Sequence, residues 1–229
     1  MIAEQLQEVE NHIRAAAERA GRDPAEVTLI AVSKTKPVSL LMEAYDAGQR
    51  VFGENKVQEL TDKIPAMPED IKWHMIGHLQ RNKVKYLVDR VALIHSVDSF
   101  RLAEEINIQA IKKNTTVPVL IEVNMAGEDS KFGVRPEDTE ELIRQISTLP
   151  GVQVRGLMTV APYVVDAEEN REIFRKIKQL SVDIKLQNID NVAMDVLSMG
   201  MTGDYEVAIE EGATMVRVGT GIFGERHYH

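Results

Sequence analysis

The 229-residue chain contains no cysteine. This absence excludes disulfides, thiolate metal sites and cysteine nucleophiles, and it suits a reducing cytoplasm. Positive charge is in deficit, because 27 Lys and Arg residues stand against 36 Asp and Glu residues, for a formal net charge of −9. Such an acidic chain is not expected to bind nucleic acid or an anionic membrane as its general role. We also expect no metal site.

Long hydrophobic runs are missing as well. No stretch is long and apolar enough to span a bilayer. The first five residues, 1–5, include an acid where a signal peptide needs basic and then apolar residues. We therefore expect a cytoplasmic protein. Hydrophobic residues still make up 44% of the chain and charged residues 28%, an ordinary globular composition with enough apolar material for a core.

Short apolar runs alternate with amphipathic segments along the chain. The runs predicted to be strands are 27–34, 51–55, 73–77, 92–97, 118–124, 154–160, 196–201 and 215–221. The segments predicted to be helices are 39–47, 56–64, 80–89, 100–112, 136–149, 167–181 and 205–211. Strands that alternate with helices are typical of parallel βαβ units, and eight of them predict an α/β fold of the closed (β/α)8 TIM-barrel type. A doubly wound open sheet is the alternative, but the dinucleotide-binding glycine motif expected after its first strand is absent.

The last predicted strand is followed by too few residues for a helix that could cover it. The N-terminal segment offers a replacement, because its apolar residues recur at helical spacing: Ile2, Leu6, Val9, Ile13 and Ala17. Gly21 is a suitable stop for this helix. No linker or repeat divides the chain, so we predict a single domain, residues 1–229, whose first helix covers the gap beside strand eight.

Lys34 stands at the carboxyl end of the first predicted strand, where the active sites of such barrels lie. An amine held in a pocket at this position can act as a nucleophile and form a Schiff base, although many strand-end lysines simply reach solvent. Strand parity does not distinguish Lys34 from Lys36. We favour Lys34 because it lies within the apolar run, whereas Lys36 precedes Pro37 in a turn.

A phosphate site is predicted after strands seven and eight. Barrels often bind phosphate with these loops, through backbone N–H groups at the start of a short helix. Gly219 and Gly221 allow close approach of the backbone, and Ser198 and Thr220 can add hydroxyl donors. Arg217 interrupts the eighth apolar run, where it serves either a structural ion pair or a cofactor, through its phosphate or a ring nitrogen.

Other polar residues fall in or just after the predicted strands: Glu54, Asn55, His74, His78, Arg81 and Glu122. Buried carboxylates among them need partners, and a histidine within a strand is more often a core residue than a catalytic one. Nothing in the sequence gives His78 or Arg81 a role, and the single Trp73 is most simply a packing residue. A reactive lysine beside a phosphate site indicates a phosphorylated aldehyde or sugar, which suits both a cofactor-binding protein and a Schiff-base aldolase.

Eight segments carry a resemblance to a known family: 31–36, 52–55, 73–77, 79–83, 131–133, 156–158, 197–201 and 216–220. Through them the whole chain resembles the pyridoxal phosphate homeostasis protein family, single-domain relatives of the alanine racemase barrel (fold type III). The resemblance implies pyridoxal 5′-phosphate (PLP) as the cofactor. It implies these contacts: Lys34 for the Schiff base, Ser198, Gly219 and Thr220 for the phosphate, and Asn55 and Arg217 close to the cofactor.

Two functions are compatible with this resemblance. The first is a carrier that buffers PLP or delivers it to apo PLP-dependent enzymes. The second is a PLP enzyme such as an amino-acid racemase, which needs an acid/base on each face of the α-carbon. In two-domain racemases the opposing tyrosine comes from a second domain, which we do not expect here. Tyr163 is the nearest substitute, although loop packing is its expected role. We favour a monomeric carrier without catalytic residues.

Overall fold

Eight parallel strands form a closed barrel in the computed structural model, which describes residues 1–129 and 131–225. In chain order they are β1 (Thr28–Val32), β2 (Val51–Glu54), β3 (Lys72–Met75), β4 (Leu93–Val97), β5 (Val117–Glu122), β6 (Val152–Met158), β7 (Val192–Met201) and β8 (Met215–Val218). Each strand pairs with its neighbours in sequence, and β8 pairs with β1. The predicted barrel is confirmed, and the open-sheet alternative is wrong because no strand of this sheet is left at an edge.

The helices follow the strands around the outside of the barrel. They are α1 (Ile2–Arg19), α2 (Val38–Asp46), α3 (Val57–Lys63), α4 (Phe100–Lys112), α5 (Thr139–Ile146), α6 (Arg171–Leu186), α7 (Tyr205–Glu210) and α8 (Thr220–Phe223). The predicted helix 80–89 is wrong, since this segment contains a 3₁₀ helix at Arg81–Tyr86 instead. Val84, Leu87 and Val88 are buried at helical spacing, but they span little more than one helical turn, and the chain forms the 3₁₀ helix followed by turns instead.

Six of the eight strands end one to three residues earlier than predicted, and the differences at β1 and β8 bear on the site. The run 27–34 stops as a strand at Val32, and Lys34 lies in the following turn. Thr35 turns the chain there with a φ of 63°, in the left-handed region that threonine rarely occupies. The run 215–221 stops at Val218, and the residues after Gly219 begin α8. Lys34 and Gly219 therefore lie beyond the sheet rather than within it.

The core has two parts because successive side chains of a strand point to opposite faces. Trp73 and Ile94 belong to the large cluster between the sheet and the helices, and the ring of Trp73 lies 5.7 Å from that of Phe52. The packing role predicted for Trp73 is confirmed. A small separate cluster joins strands β4, β5 and β6 through Leu93, Leu120 and Met158.

Helix α1 covers the gap beside β8, as predicted. It packs against α2, α7 and α8, the helices that flank the junction between β1 and β8. Its buried face contains the predicted residues and one more: Ile2, Leu6, Val9, Ile13, Ala16 and Ala17. The helix ends before Gly21, which has a φ of 67°. No helix in the part of the chain that the structure describes could cross a membrane, judged by length and hydrophobicity.

The substitution Leu6→Ala should destabilise the protein by about 2–5 kcal/mol, because it leaves a cavity where α1 closes the barrel. Leu6 is only 1% exposed. Urea unfolding measures the change, and the exposed Glu10→Ala on the same helix is the control, expected within about 0.5 kcal/mol of wild type. Equal stability of the two variants would show that α1 does not seal the core.

Candidate functional site

Lys34 is half buried at the carboxyl end of the barrel, in a turn that is fastened to β2. The residue before it, Ser33, donates its backbone N–H to the carbonyl oxygen of Gly53 (3.0 Å). The hydroxyl of Ser33 donates to Oε1 of Glu54 at 2.6 Å. Both bonds are buried, so the backbone next to Lys34 is held in one position.

Lys36 has a structural role at the other end of the chain. Its Nζ donates to three successive carbonyl oxygens: Phe223 (3.4 Å), Gly224 (3.1 Å) and Glu225 (3.0 Å). A cation is favourable against the unsatisfied carbonyls at a helix end. This engagement of Lys36 supports the choice of Lys34 as the lysine of the site, which strand parity left open.

Asn55 follows β2, next to the turn that contains Lys34. Its Oδ1 is buried and accepts no hydrogen bond in the described part of the chain. The backbone of Gly77 presses on the same residue, since a Cβ at Gly77 would lie 2.3 Å from the carbonyl oxygen of Asn55. A buried amide oxygen without a partner costs about 1–3 kcal/mol. Such a group fits a site whose remaining donor comes from a ligand.

Arg217 lies inside the barrel and holds a buried polar network together. It donates to the hydroxyl of Ser198 and, at 2.8 Å, to the carbonyl oxygen of Thr159. The network continues through His95, whose Nδ1 lies 3.0 Å from Ser198 Oγ, to His74, whose Nδ1 lies 2.9 Å from His95 Nε2. The structure thus brings Ser198 and Arg217 together, with the hydroxyl already bonded on two sides.

Burial decides the charges in this network. It lowers the pKa of His74 to about 4 and the pKa of His95 well below its usual value, so both rings are neutral near pH 7. Burial also lowers the pKa of Arg217 to about 10, which leaves the guanidinium charged. The pKa of Glu122 rises to about 7, mainly through burial and further through Asp98, with Arg217 opposing. Arg217 therefore carries the positive charge of this network.

The predicted phosphate loop lies beside β1. Gly219 precedes α8 and caps it, because its carbonyl oxygen accepts from the N–H groups of Ile222 (3.0 Å) and Phe223 (2.9 Å). A Cβ at Gly219 would lie 3.3 Å from Cβ of Val32, tighter than most real contacts. This close approach brings Gly219 and Thr220 to the strand end from which Lys34 follows.

Several residues of the site escaped the sequence analysis. Lys63 of α3 donates to the carbonyl oxygen of Ser33 (2.7 Å) and to Oε1 of Glu54 (2.6 Å), which gives that buried carboxylate its partner. Glu59 of the same helix accepts from the backbone N–H of Thr35 at 2.8 Å. Their spacing of four residues places them on one helix face. This spacing was a usable signal, but nothing in it indicated which turn the face would meet.

Other candidates have different surroundings. His78 stacks on Phe132 with ring centroids 3.8 Å apart, and Arg81 begins the exposed 3₁₀ segment. The described tyrosines are engaged elsewhere or exposed: Tyr45 donates to Asp70, Tyr205 contacts His12, Tyr86 is 48% exposed and Tyr163 is 95% exposed. Tyr228 lies outside the described residues. Within residues 1–129 and 131–225, no group of three His, Asp or Glu residues could hold a metal ion.

Comparison with known proteins places this architecture in context. Residues 5–227 match the family model of the alanine racemase N-terminal domain. The pyridoxal phosphate homeostasis protein of Aquifex aeolicus (strain VF5) is 50% identical over 98% of each chain. PipY of Synechococcus elongatus PCC7942, solved with PLP bound, is 37% identical with a TM-score of 0.82, covering 98% of this chain and 100% of PipY. An alanine racemase of Clostridium difficile 630 shares the fold, with a TM-score of 0.75, 13% identity and coverage of 98% of this chain and 58% of the racemase.

Glu122→Gln should change how stability depends on pH. The folded-state pKa of Glu122 is raised from 4.5 to about 7, so the folded protein binds the extra proton and loses stability as pH rises through that window. The variant lacks this loss. From about pH 5 to about pH 8, its free energy of unfolding should gain on the order of 1–3 kcal/mol relative to wild type. Urea unfolding at both pH values tests this, with the exposed Glu43→Gln as control, and parallel pH profiles for Glu122→Gln and wild type would contradict it.

Proposed function

Because the chain belongs to the pyridoxal phosphate homeostasis protein family, we propose that it binds PLP, buffers it and delivers it, with Lys34 holding the cofactor as a Schiff base. One observation carries the proposal. In the barrel β1 lies between β2 and β8, so the turn with Lys34 is flanked by Asn55 on one side and by the turn at Gly219 on the other. The PLP-bound relative PipY, which shares the fold, supports the same cofactor.

The residues around Lys34 fit the two ends of PLP. PLP supplies an aldehyde, which condenses with a primary amine with loss of water, and a phosphate that needs hydrogen-bond donors. Gly219 and Thr220 offer backbone N–H groups for the phosphate, and Asn55 brings an amide whose oxygen accepts no hydrogen bond from the described residues. Arg217 contributes a buried positive charge. Ser198 keeps its predicted phosphate role as a proposal, and its bond to Arg217 gives it a second role in orienting the guanidinium.

A carrier fits the described tyrosines better than a racemase does. Racemisation needs a second acid/base opposite the lysine. Tyr163 was the nearest substitute in the sequence, and its side chain is 95% exposed. A fully solvated phenol does not hold a proton in the fixed position that this chemistry needs. This exposure favours binding and delivery over turnover, with no catalytic residue assigned.

We propose one PLP-binding domain over residues 1–229 that acts as a monomer in the cytoplasm. Its recipients are apo PLP-dependent enzymes. The net charge of −9 supports the view that nucleic acid is not a partner.

The substitution Lys34→Ala should abolish the visible absorption band of the Schiff base but leave weaker PLP binding, because the phosphate donors remain. Lys36→Ala is the matched control and should keep the band, since Lys36 bonds to the carbonyl oxygens that follow α8. Absorption spectra and equilibrium dialysis with PLP measure both properties. A band that survives in Lys34→Ala would rule out the assignment, and complete loss of binding in a folded Lys34→Ala would contradict the separate phosphate site.

A further inference from the structure

Two side chains of helix α3 form hydrogen bonds with the backbone on either side of Lys34. Nζ of Lys63 donates to the carbonyl oxygen of Ser33 at 2.7 Å, directly before Lys34. Directly after it, the backbone N–H of Thr35 donates to Oε1 of Glu59 at 2.8 Å. One face of one helix therefore fixes the residues on either side of the lysine.

Ion pairs of Lys63 stabilise these hydrogen bonds between α3 and the turn. The ammonium of Lys63 lies 2.6 Å from Oε1 of Glu54 and 3.6 Å from Oε1 of Glu59. Glu54 is fully buried, and although burial raises the pKa of its carboxyl, the hydrogen bonds from Lys63 and Ser33 oppose that rise. Moving α3 away from the turn would leave buried charge uncompensated, which is strongly unfavourable. The helix and the turn are thus coupled.

The backbone of the turn is in a conformation that needs such support. Thr35 has a φ of 63°, and a β-branched residue rarely adopts the left-handed region. Conformations of this kind persist where surrounding contacts impose them, and they cluster at functional sites. The hydrogen bond to Glu59 is formed by the N–H of Thr35 itself. It therefore stabilises the strained residue directly.

We propose that Glu59 and Lys63 are positioning residues for Lys34, and that their hold on the turn sets how fast the lysine captures PLP. Neither residue needs to touch the cofactor, because each acts through the backbone that carries Lys34. The inference rests on the proposed function, since it takes Lys34 as the residue that bonds to PLP. It identifies helix α3 as the element that holds the backbone at Lys34 in position.

Two variants of Glu59 test the proposal. Glu59→Ala removes the acceptor for the N–H of Thr35, whereas Glu59→Gln keeps an oxygen at the same place. In PLP-free protein, amide hydrogen exchange at Thr35, followed by NMR, should accelerate by at least about tenfold in Glu59→Ala. After mixing with PLP, the visible Schiff-base band should appear more slowly, by roughly threefold to tenfold. Glu59→Gln should stay within about twofold of wild type in both measurements.

The control is Glu43→Ala, which removes an exposed glutamate from the neighbouring helix α2 and should behave as wild type. Circular dichroism checks that every variant is folded. Faster exchange at Thr35 with an unchanged rate of band formation would overturn the positioning role, as would a Glu59→Gln variant as slow as Glu59→Ala. If wild-type protein forms no band with PLP, the proposed function fails and this inference with it. A normal wild-type band together with an unaffected Glu59→Ala overturns the positioning role alone.

Discussion

The pairing of β1 with β8 is the constraint on which the site depends. Four consecutive residue pairs, from Thr28–Met215 to Ala31–Val218, close the barrel and bring together segments almost 190 positions apart. In an open sheet the turn after β1 and the turn after β8 would lie at distant positions. Closure sets Gly219 against Val32, two residues before Lys34. Helix α1 covers this junction together with the short α8, because α8 has only four residues.

The interior of the barrel is specialised for charge rather than for maximum stability. A chain of buried polar groups runs from His74 through His95 and Ser198 to Arg217, where apolar side chains would pack at lower cost. The low pKa values of the two histidines keep them uncharged, so the positive charge of Arg217 has no cationic neighbour in this chain of groups. Such a network fixes the direction of the guanidinium beneath the mouth of the barrel. The protein therefore buries two neutral imidazoles, which is unfavourable, in the network that orients the charge of Arg217.

The architecture could be predicted from the sequence because it follows from local patterns. Helix 100–112 has the predicted bounds, and every strand begins and ends within four residues of its predicted limits. The prediction for 80–89 was wrong because Val84, Leu87 and Val88 have helical spacing but lie in a 3₁₀ helix and the turns that follow it. The structural role of Lys36 could not be predicted, because its partners lie 187 or more positions away. Contacts at such distances, like His95 with Ser198, are set by the closure of the barrel and leave no mark on local periodicity.

The same division explains why function was harder to predict than fold. Lys34, Asn55 and Gly219 were recognisable as strand-end residues, whereas the hold of α3 on the turn depends on the side chains of Lys63 and Glu59 meeting it in space. The backbone around Lys34 is held in place, its side chain is half buried, and Tyr163, the residue considered as an opposing acid, is exposed. We therefore predict binding without turnover.

The most direct measurement is α-proton exchange of a panel of amino acids in D₂O, with PLP-loaded protein whose visible spectrum confirms the Schiff base. The account predicts no exchange above that of free PLP, with the spectrum intact. Exchange at an enzyme-like rate, of roughly 1 s⁻¹ or more and lost in Lys34→Ala, would contradict it and identify a racemase or a related PLP enzyme.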